Sequence, residues 1–194
     1  MNHSIEAFLP TIYGSFDIHS YPNLDNPYAP DLVLVSGDLS KIQNPLVRLH
    51  SECLTGDVFG SMRCDCGVQL QNSLERIALE GGMFVYLRQE GRGIGLHNKI
   101  EAYHMQDSGM DTVQANEALG FEPDLRNYDI AVGILKDFRL HSIRLLTNNP
   151  RKVLALQEAG IKVIERIPLI SPFNDYNKDY LNTKREKLGH LFPK

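Results

Sequence analysis

The sequence predicts an α/β fold: a single compact domain in which helices flank a mixed sheet, with a first third richer in strands. Two observations carry this. From residue 83 to residue 165, short apolar runs alternate with stretches of helical periodicity, the pattern of a sheet covered by helices. Before residue 50 the apolar residues come in short runs or alternate singly, bounded by Pro, Gly and Asn, which is strand and turn chemistry. No repeat, low-complexity stretch or clear linker divides the chain. Residues 1–194 are therefore taken as one unit, long enough to bury a real core, with 1–44 as its β-rich start.

The elements follow in order. Residues 5–20 alternate around Pro10 and Gly14, giving two short strands and a turn. Three prolines and two asparagines make 21–30 a loop. Leu32 to Val35 is a buried strand ended by Ser36-Gly37-Asp38. Pro45 to His50 is another, with Arg48 and His50 on one face by the period of two. Leu70, Leu74, Ile77 and Ala78 fall at helical spacing, so a helix runs from about 68 to 80 and stops at Gly81-Gly82. Met83 to Leu87 is a core strand, and Arg88 to Gly95 opens a helix through about Gln106. A short helix over 111–119, a loop over 121–127, a helix over 128–138 and a strand over 143–146 follow. Asn149 as N-cap and Pro150 at the first helical position start a helix that Gly160 ends. A strand over 161–165 and a charge-rich helix over 179–188 complete the chain.

Composition narrows the function. Apolar content of 42% and charged content of 23% are ordinary for a soluble globular protein. No apolar run reaches the length of a membrane span, and the N-terminus lacks the pattern of a signal peptide. Three cysteines cannot form a full disulfide framework, which points to a reducing compartment, the cytoplasm. A net charge of −4 argues against nucleic acid as partner, though it leaves room for a small phosphorylated ligand held by local cations.

The chemistry concentrates in His50 to Gln69. Cys53, Cys64 and Cys66 are the chain's only cysteines, in the pattern C-x10-C-x-C. Three thiols so close in sequence fit one zinc site with an open fourth position, which leans toward catalysis unless His50 closes it. The plainer alternative is three unconnected buried cysteines. His50-Ser51-Glu52 also matches part of the zinc-deaminase pattern H-x-E, but Cys64 and Cys66 stand one residue too close for its second half. Between a strand and a helix, Arg88 to Gly95 threads Glu90, Gly91 and Arg92 among glycines, a candidate ligand loop that is neither a Rossmann fingerprint nor a Walker A loop. Thr147 to Lys152 is a second anion candidate; alone it reads as an ordinary capped helix. Asp124-Leu125-Arg126, alone, is a surface pair of modest worth.

Five ordered blocks carry a resemblance: RLHSECLTGDVFGSMRCDCGVQL (48–70), LRQEGRGIGLHNKI (87–100), DTVQANEALGF (111–121), RLLTNNPRKV (144–153) and YLNTKREKLGHLF (180–192). Together they resemble GTP cyclohydrolase II, over nearly the whole chain from about residue 45. The resemblance implies hydrolysis of GTP with release of formate and pyrophosphate, giving 2,5-diamino-6-ribosylamino-4(3H)-pyrimidinone 5′-phosphate, the first committed step of riboflavin synthesis. It implies Zn2+, Mg2+ with the triphosphate, and a homodimer. Many members carry a dihydroxybutanone-phosphate synthase domain ahead of this one, for which 194 residues are too few. Carried over residue by residue, it makes Cys53, Cys64 and Cys66 the zinc ligands. It places Arg48, Leu49, His50, Ser51, Glu52, Gln69, Glu90, Gly91, Arg92, Thr112, Thr147 and Lys152 around GTP. Asp124 becomes the proton acceptor, Arg126 the nucleophile toward the α-phosphate and Tyr103 a ring-side residue near guanine. Glu90 is the carboxylate expected to accept the guanine N1 and N2 protons. His50 is expected beside the substrate, not as a fourth zinc ligand. Two rivals are a zinc deaminase using His50, and a non-catalytic zinc module with a closed site.

Overall fold

The computed structural model describes residues 5–23, 26–122 and 124–191. The loops expected over 21–30 and 121–127 thus lie partly outside the described residues. Seven strands form one mixed sheet: β1 Ile5–Thr11, β2 Gly14–Tyr21, β3 Asp31–Ser36, β4 Leu46–Ser51, β5 Gly82–Leu87, β6 Ser142–Leu146 and β7 Lys162–Ile167. Their spatial order is β1-β2-β3-β5-β4-β6-β7. The β1, β2, β3 and β5 pairings are antiparallel, and those of β5, β4, β6 and β7 are parallel. The strand-rich first third is therefore the antiparallel half of the same sheet. Pro10 is accommodated because β1 is an edge strand.

The helices are α1 Leu54–Asp57, α2 Cys66–Glu80, α3 Gly95–Asp107, α4 Thr112–Ala118, α5 Asp129–Asp137, α6 Pro150–Glu158 and α7 Lys178–Glu186. Each expected strand and helix is present, with ends moved by at most two residues apart from the start of the helix expected at residue 88. Two elements differ. The four-residue α1 was not foreseen, since one turn around Gly56 has no periodicity to read. The helix expected from residue 88 is a 3-10 turn, Glu90–Gly93, followed by α3, because Gly91 and Arg92 both take left-handed backbone (φ 62° and 63°).

Alternation along the strands gives each face its own core. Val47 and Leu49 of β4 join Met83, Val85 and Leu87 of β5 under Ile134 and Leu135 of α5 and Leu156 of α6. Leu46 and Phe84 face the other way and pack with Leu74 and Ile77 of α2 and Phe16 of β2. Arg48 and His50 share the face of Leu46, but lie nearer the carboxyl end, beyond the apolar cluster. The chain leaves β4 into Cys53, β5 into the Glu90 turn and β6 into Thr147. These three neighbouring parallel strands deliver their loops to one edge, where open α/β sheets hold ligands. No helix among the described residues is long and apolar enough to cross a membrane.

The register that aligns these strand ends pairs Leu46 with Gly82. A Cβ at Gly82 would lie 2.1 Å from the carbonyl oxygen of Leu46, at a φ of +152° that L side chains rarely adopt. Gly82→Ala is expected to lower stability by about 3 kcal/mol or more, seen as a lower urea midpoint at unchanged slope.

Candidate active site

The turn from β4 into α1 and the start of α2 gather the three thiols. Their sulfurs lie within 4.8 Å of one another, and Cys53 Sγ is 3.7 Å from Cys64 Sγ. Zinc–sulfur bonds of about 2.3 Å in a tetrahedron put sulfurs about 3.8 Å apart, so the spacing fits a zinc ion. The cradle is shaped for it: a Cβ on Gly56 would lie 2.8 Å from Cys64 Sγ and 3.2 Å from Cys53 Sγ, so only glycine leaves the sulfurs room.

One buried carboxylate fixes this turn. Asp57 Oδ2 accepts the Cys53 backbone N–H (3.0 Å) and the Tyr86 hydroxyl (2.9 Å), and Asp57 Oδ1 lies 3.0 Å from His50 Nε2. The carboxylate accepts, so Nε2 carries the hydrogen. Arg48 Nη2 donates, so Nδ1, 3.5 Å away, keeps its lone pair. Burial lowers the His50 pKa, consistent with the neutral ring. Both ring nitrogens are thereby engaged. Among the described residues, the close group of metal-ligating atoms is the three thiols, without His50.

A cleft opens over the thiols. Seven cations line it (Arg48, Arg63, Arg92, Lys99, Arg126, Lys152 and Lys184) against two carboxylates, Glu52 and Glu90, in a chain of net charge −4. His50, Ser51, Gln69, Gly91, Tyr103, Thr112 and Thr147 also line it, as do the three cysteines. Of the expected residues, Leu49 and Asp124 are not in the lining. The Leu49 side chain is in the core on the other face, and its carbonyl accepts Lys152 Nζ at 2.7 Å. Asp124 grips Arg126 with both carboxylate oxygens: Nε donates to Oδ1 at 2.8 Å and Nη2 to Oδ2 at 2.7 Å. This pair is buried, not the modest surface pair its sequence neighbourhood implied.

Glu90 lines the cleft and is held from three sides. Oε1 takes the Gly91 N–H (2.6 Å) and Lys99 Nζ (2.9 Å), and Oε2 takes the Leu54 N–H (2.6 Å). It ties the Gly91–Arg92 turn to the cysteine turn. Glu52 also lines the cleft, held by Arg88 at 2.9 Å, and burial raises its pKa.

Several donors in the cleft wall lack a partner. Arg48 Nε, Arg92 Nη2 and Asn149 Nδ2 are buried with no hydrogen bond. Lys152, enclosed at the start of α6, has its pKa driven well below the usual lysine range by burial and by Arg48, Arg126 and Lys184. Such crowding of buried positive charge is the electrostatic signature of an anion site. Asn149 caps α6 as expected, accepting the Arg151 N–H at 2.9 Å, but the turn is buried, not an exposed basic end.

Sequence reasoning missed Asp57, Lys99, Tyr180 and Lys184. Asp57 and Lys99 carried no local signal beyond standing inside the matched blocks. Lys184 projects from the charged α7 into the cleft and pairs with the buried Asp65 (2.8 Å), which also accepts Gln69 Nε2; Gln69 Oε1 in turn accepts Arg48 (2.7 Å). The last helix thus closes one wall of the cleft.

Fold and site together define an α/β protein with a cluster of three thiols, spaced so that it could hold a metal ion, in the wall of a cation-lined cleft. The chain belongs to the GTP cyclohydrolase II family, whose model matches residues 2–168. It is 57% identical over 189 residues to a Bacillus cereus protein named riboflavin biosynthesis protein RibBA, covering 96% of this chain and 47% of that one. A Bacillus velezensis protein of the same name is 53% identical over 193 residues, covering 98% and 48%. The chain thus spans about half the length of these relatives. A solved structure, RibBX, a two-domain 3,4-dihydroxy-2-butanone 4-phosphate synthase from A. baumannii, shares the fold at 19% identity and a TM-score of 0.50, covering 88% of this chain and 40% of that one.

Asp57→Ala would strand three buried donors, each worth about 1–3 kcal/mol when orphaned. The variant is expected to lose about 3 kcal/mol or more of stability, measured by chemical denaturation of the metal-free protein.

Proposed function

We propose that this chain hydrolyses GTP, opening the guanine imidazole ring with release of formate and pyrophosphate, as the GTP cyclohydrolase II step of riboflavin synthesis. One observation carries it: three thiols spaced for zinc stand at one end of a cleft lined by seven cations, some with unpartnered buried donors. A triphosphate with about four negative charges suits those cations, and a purine reaching the thiols suits hydrolysis at its ring. A closed non-catalytic zinc module would need neither feature.

Cys53, Cys64 and Cys66 would hold the zinc, which supplies Lewis acidity toward water when bound. Arg48, Arg92, Arg126 and Lys152 would bind the phosphates, with Lys184 beside them. Tyr103, whose hydroxyl lies 3.3 Å from Thr55 Oγ1 near the Cys53 turn, would flank the base. Glu52 is the cleft carboxylate best placed to move a proton: His50 has both nitrogens engaged, and Asp65 is occupied by Lys184 and Gln69. Magnesium would arrive on the triphosphate; among the described residues the cysteine trio is the one close group of three or more His, Cys, Asp or Glu ligands. A homodimer belongs to the same proposal.

For Arg126 the geometry favours charge stabilisation over attack. Burial opposes its charge, but the Asp124 hydrogen bonds outweigh this and raise its pKa. A guanidinium held more firmly protonated is a weaker nucleophile. Asp124 would then orient the arginine toward the α-phosphate. Arg126→Ala is expected to reduce turnover by on the order of 10³-fold, with Arg126→Lys restoring part of it. A phospho-enzyme trapped on Arg126 by rapid quench would overturn this role.

The whole proposal is tested by incubating the protein with GTP and Mg2+ and measuring formate. Formate should form, cease on zinc chelation and return with added Zn2+. Absence of formate under every metal condition would overturn the proposal.

A further inference from the structure

Lys99 is buried on α3, and its ammonium is shared between a cysteine sulfur and a carboxylate. Nζ donates to Cys53 Sγ at 3.2 Å and to Glu90 Oε1 at 2.9 Å, and lies 5.7 Å from the centre of the Tyr103 ring. Glu90 is itself immobilised by the backbone N–H groups of Leu54 and Gly91. The ammonium is therefore held against the sulfur by a rigid clamp that ends on the metal-binding turn itself. A dication held by three thiolates carries a formal charge of −1, and three electron-rich sulfurs blunt its pull on a fourth ligand. A buried cation at one sulfur acts against both effects.

We propose that Lys99 is a positioning residue of the metal centre. Its N–H···S bond draws electron density from the Cys53 thiolate and so weakens the donation of that sulfur to a metal held by three thiolates. The metal thereby keeps the Lewis acidity that the reaction needs. This inference rests on the zinc reading given above. It differs from a purely structural role, in which Lys99 would only brace Glu90 and leave the electronic state of the sulfur untouched.

The test uses the full chain, stripped of metal and reloaded with Co2+, whose thiolate-to-metal charge-transfer band reports the electron richness of the sulfurs. The wild-type protein should show the band. In Lys99→Met the band should move to lower energy, because a thiolate without its hydrogen bond gives up an electron more readily. Lys99→Arg, which keeps a cationic donor, should hold the wild-type position. Formate release by the zinc form of Lys99→Met should fall about 10–100-fold, the range for lost outer partners of metal ligands, with little change in KM. A Lys99→Met band at the wild-type position overturns the inference while leaving the metal site intact. A wild-type chain without a band overturns the zinc reading and this inference with it. If Lys99→Met does not fold by circular dichroism, Lys99→Gln takes its place. A smaller shift to lower energy supports the inference, and no shift overturns it.

Discussion

The site hangs on one buried carboxylate. Asp57 accepts hydrogen bonds from a backbone N–H at Cys53, a ring nitrogen of His50 on β4 and a hydroxyl of Tyr86 on β5. A carboxylate offers about four lone-pair positions, so it can join three elements at one point where a neutral side chain could not. Because two of its partners lie on adjacent strands of the sheet and the third is the backbone of Cys53, the precision of the sheet is passed to the thiols. The tautomer of His50 follows from the same contact. So does the alignment of Arg48, whose guanidinium bridges His50, the Gln69 amide and the carbonyl of Leu146.

Charge is distributed against the average of the chain. Seven cations gather on one cleft although the net charge is −4, and Lys152 is enclosed so completely that its charged form is disfavoured. Burial of unpaired positive charge is costly unless a partner arrives. The cleft offsets part of that cost internally, through Lys184 with Asp65, Arg126 with Asp124 and Lys99 with Glu90. The rest is left to whatever anion binds. The paired cations supply geometry, while the orphaned donors of Arg48 and Arg92 supply the demand for a ligand. Arg92 is positioned for this by left-handed backbone unusual for its residue type, a strain that structures retain at binding turns.

The three anchoring strands were legible because period-two alternation and a bounded apolar run are local properties. Strand periodicity alone assigns Arg48 and His50 to a common face, and they share it in the fold. The N-cap of α6 was legible for the same reason: Asn149 followed by Pro150 is a short-range signal. The three cysteines were legible because their rarity and spacing already imply a single cluster. By contrast Asp124 and Arg126 look like an exposed pair in sequence, yet the fold largely encloses their side chains. Asp57 and Lys99 gave no signal that distinguishes them from solvated charges.

The sequence by itself determined the order and kind of the elements, the strand-rich start of the chain, the family and the identity of the thiol cluster. Each of these is encoded in spacing along the chain or in ordered blocks. The tertiary structure decided which charges are partners and which are free. Leu49 proved a core residue, its carbonyl serving Lys152. Glu90 is held by Lys99 and two backbone amides at the cleft wall. Lys184, 119 residues beyond Asp65, became its counter-ion. The physical reason is range: backbone preference acts over a few residues. The pairing of a buried charge is settled only by what folding brings within about 3 Å of it.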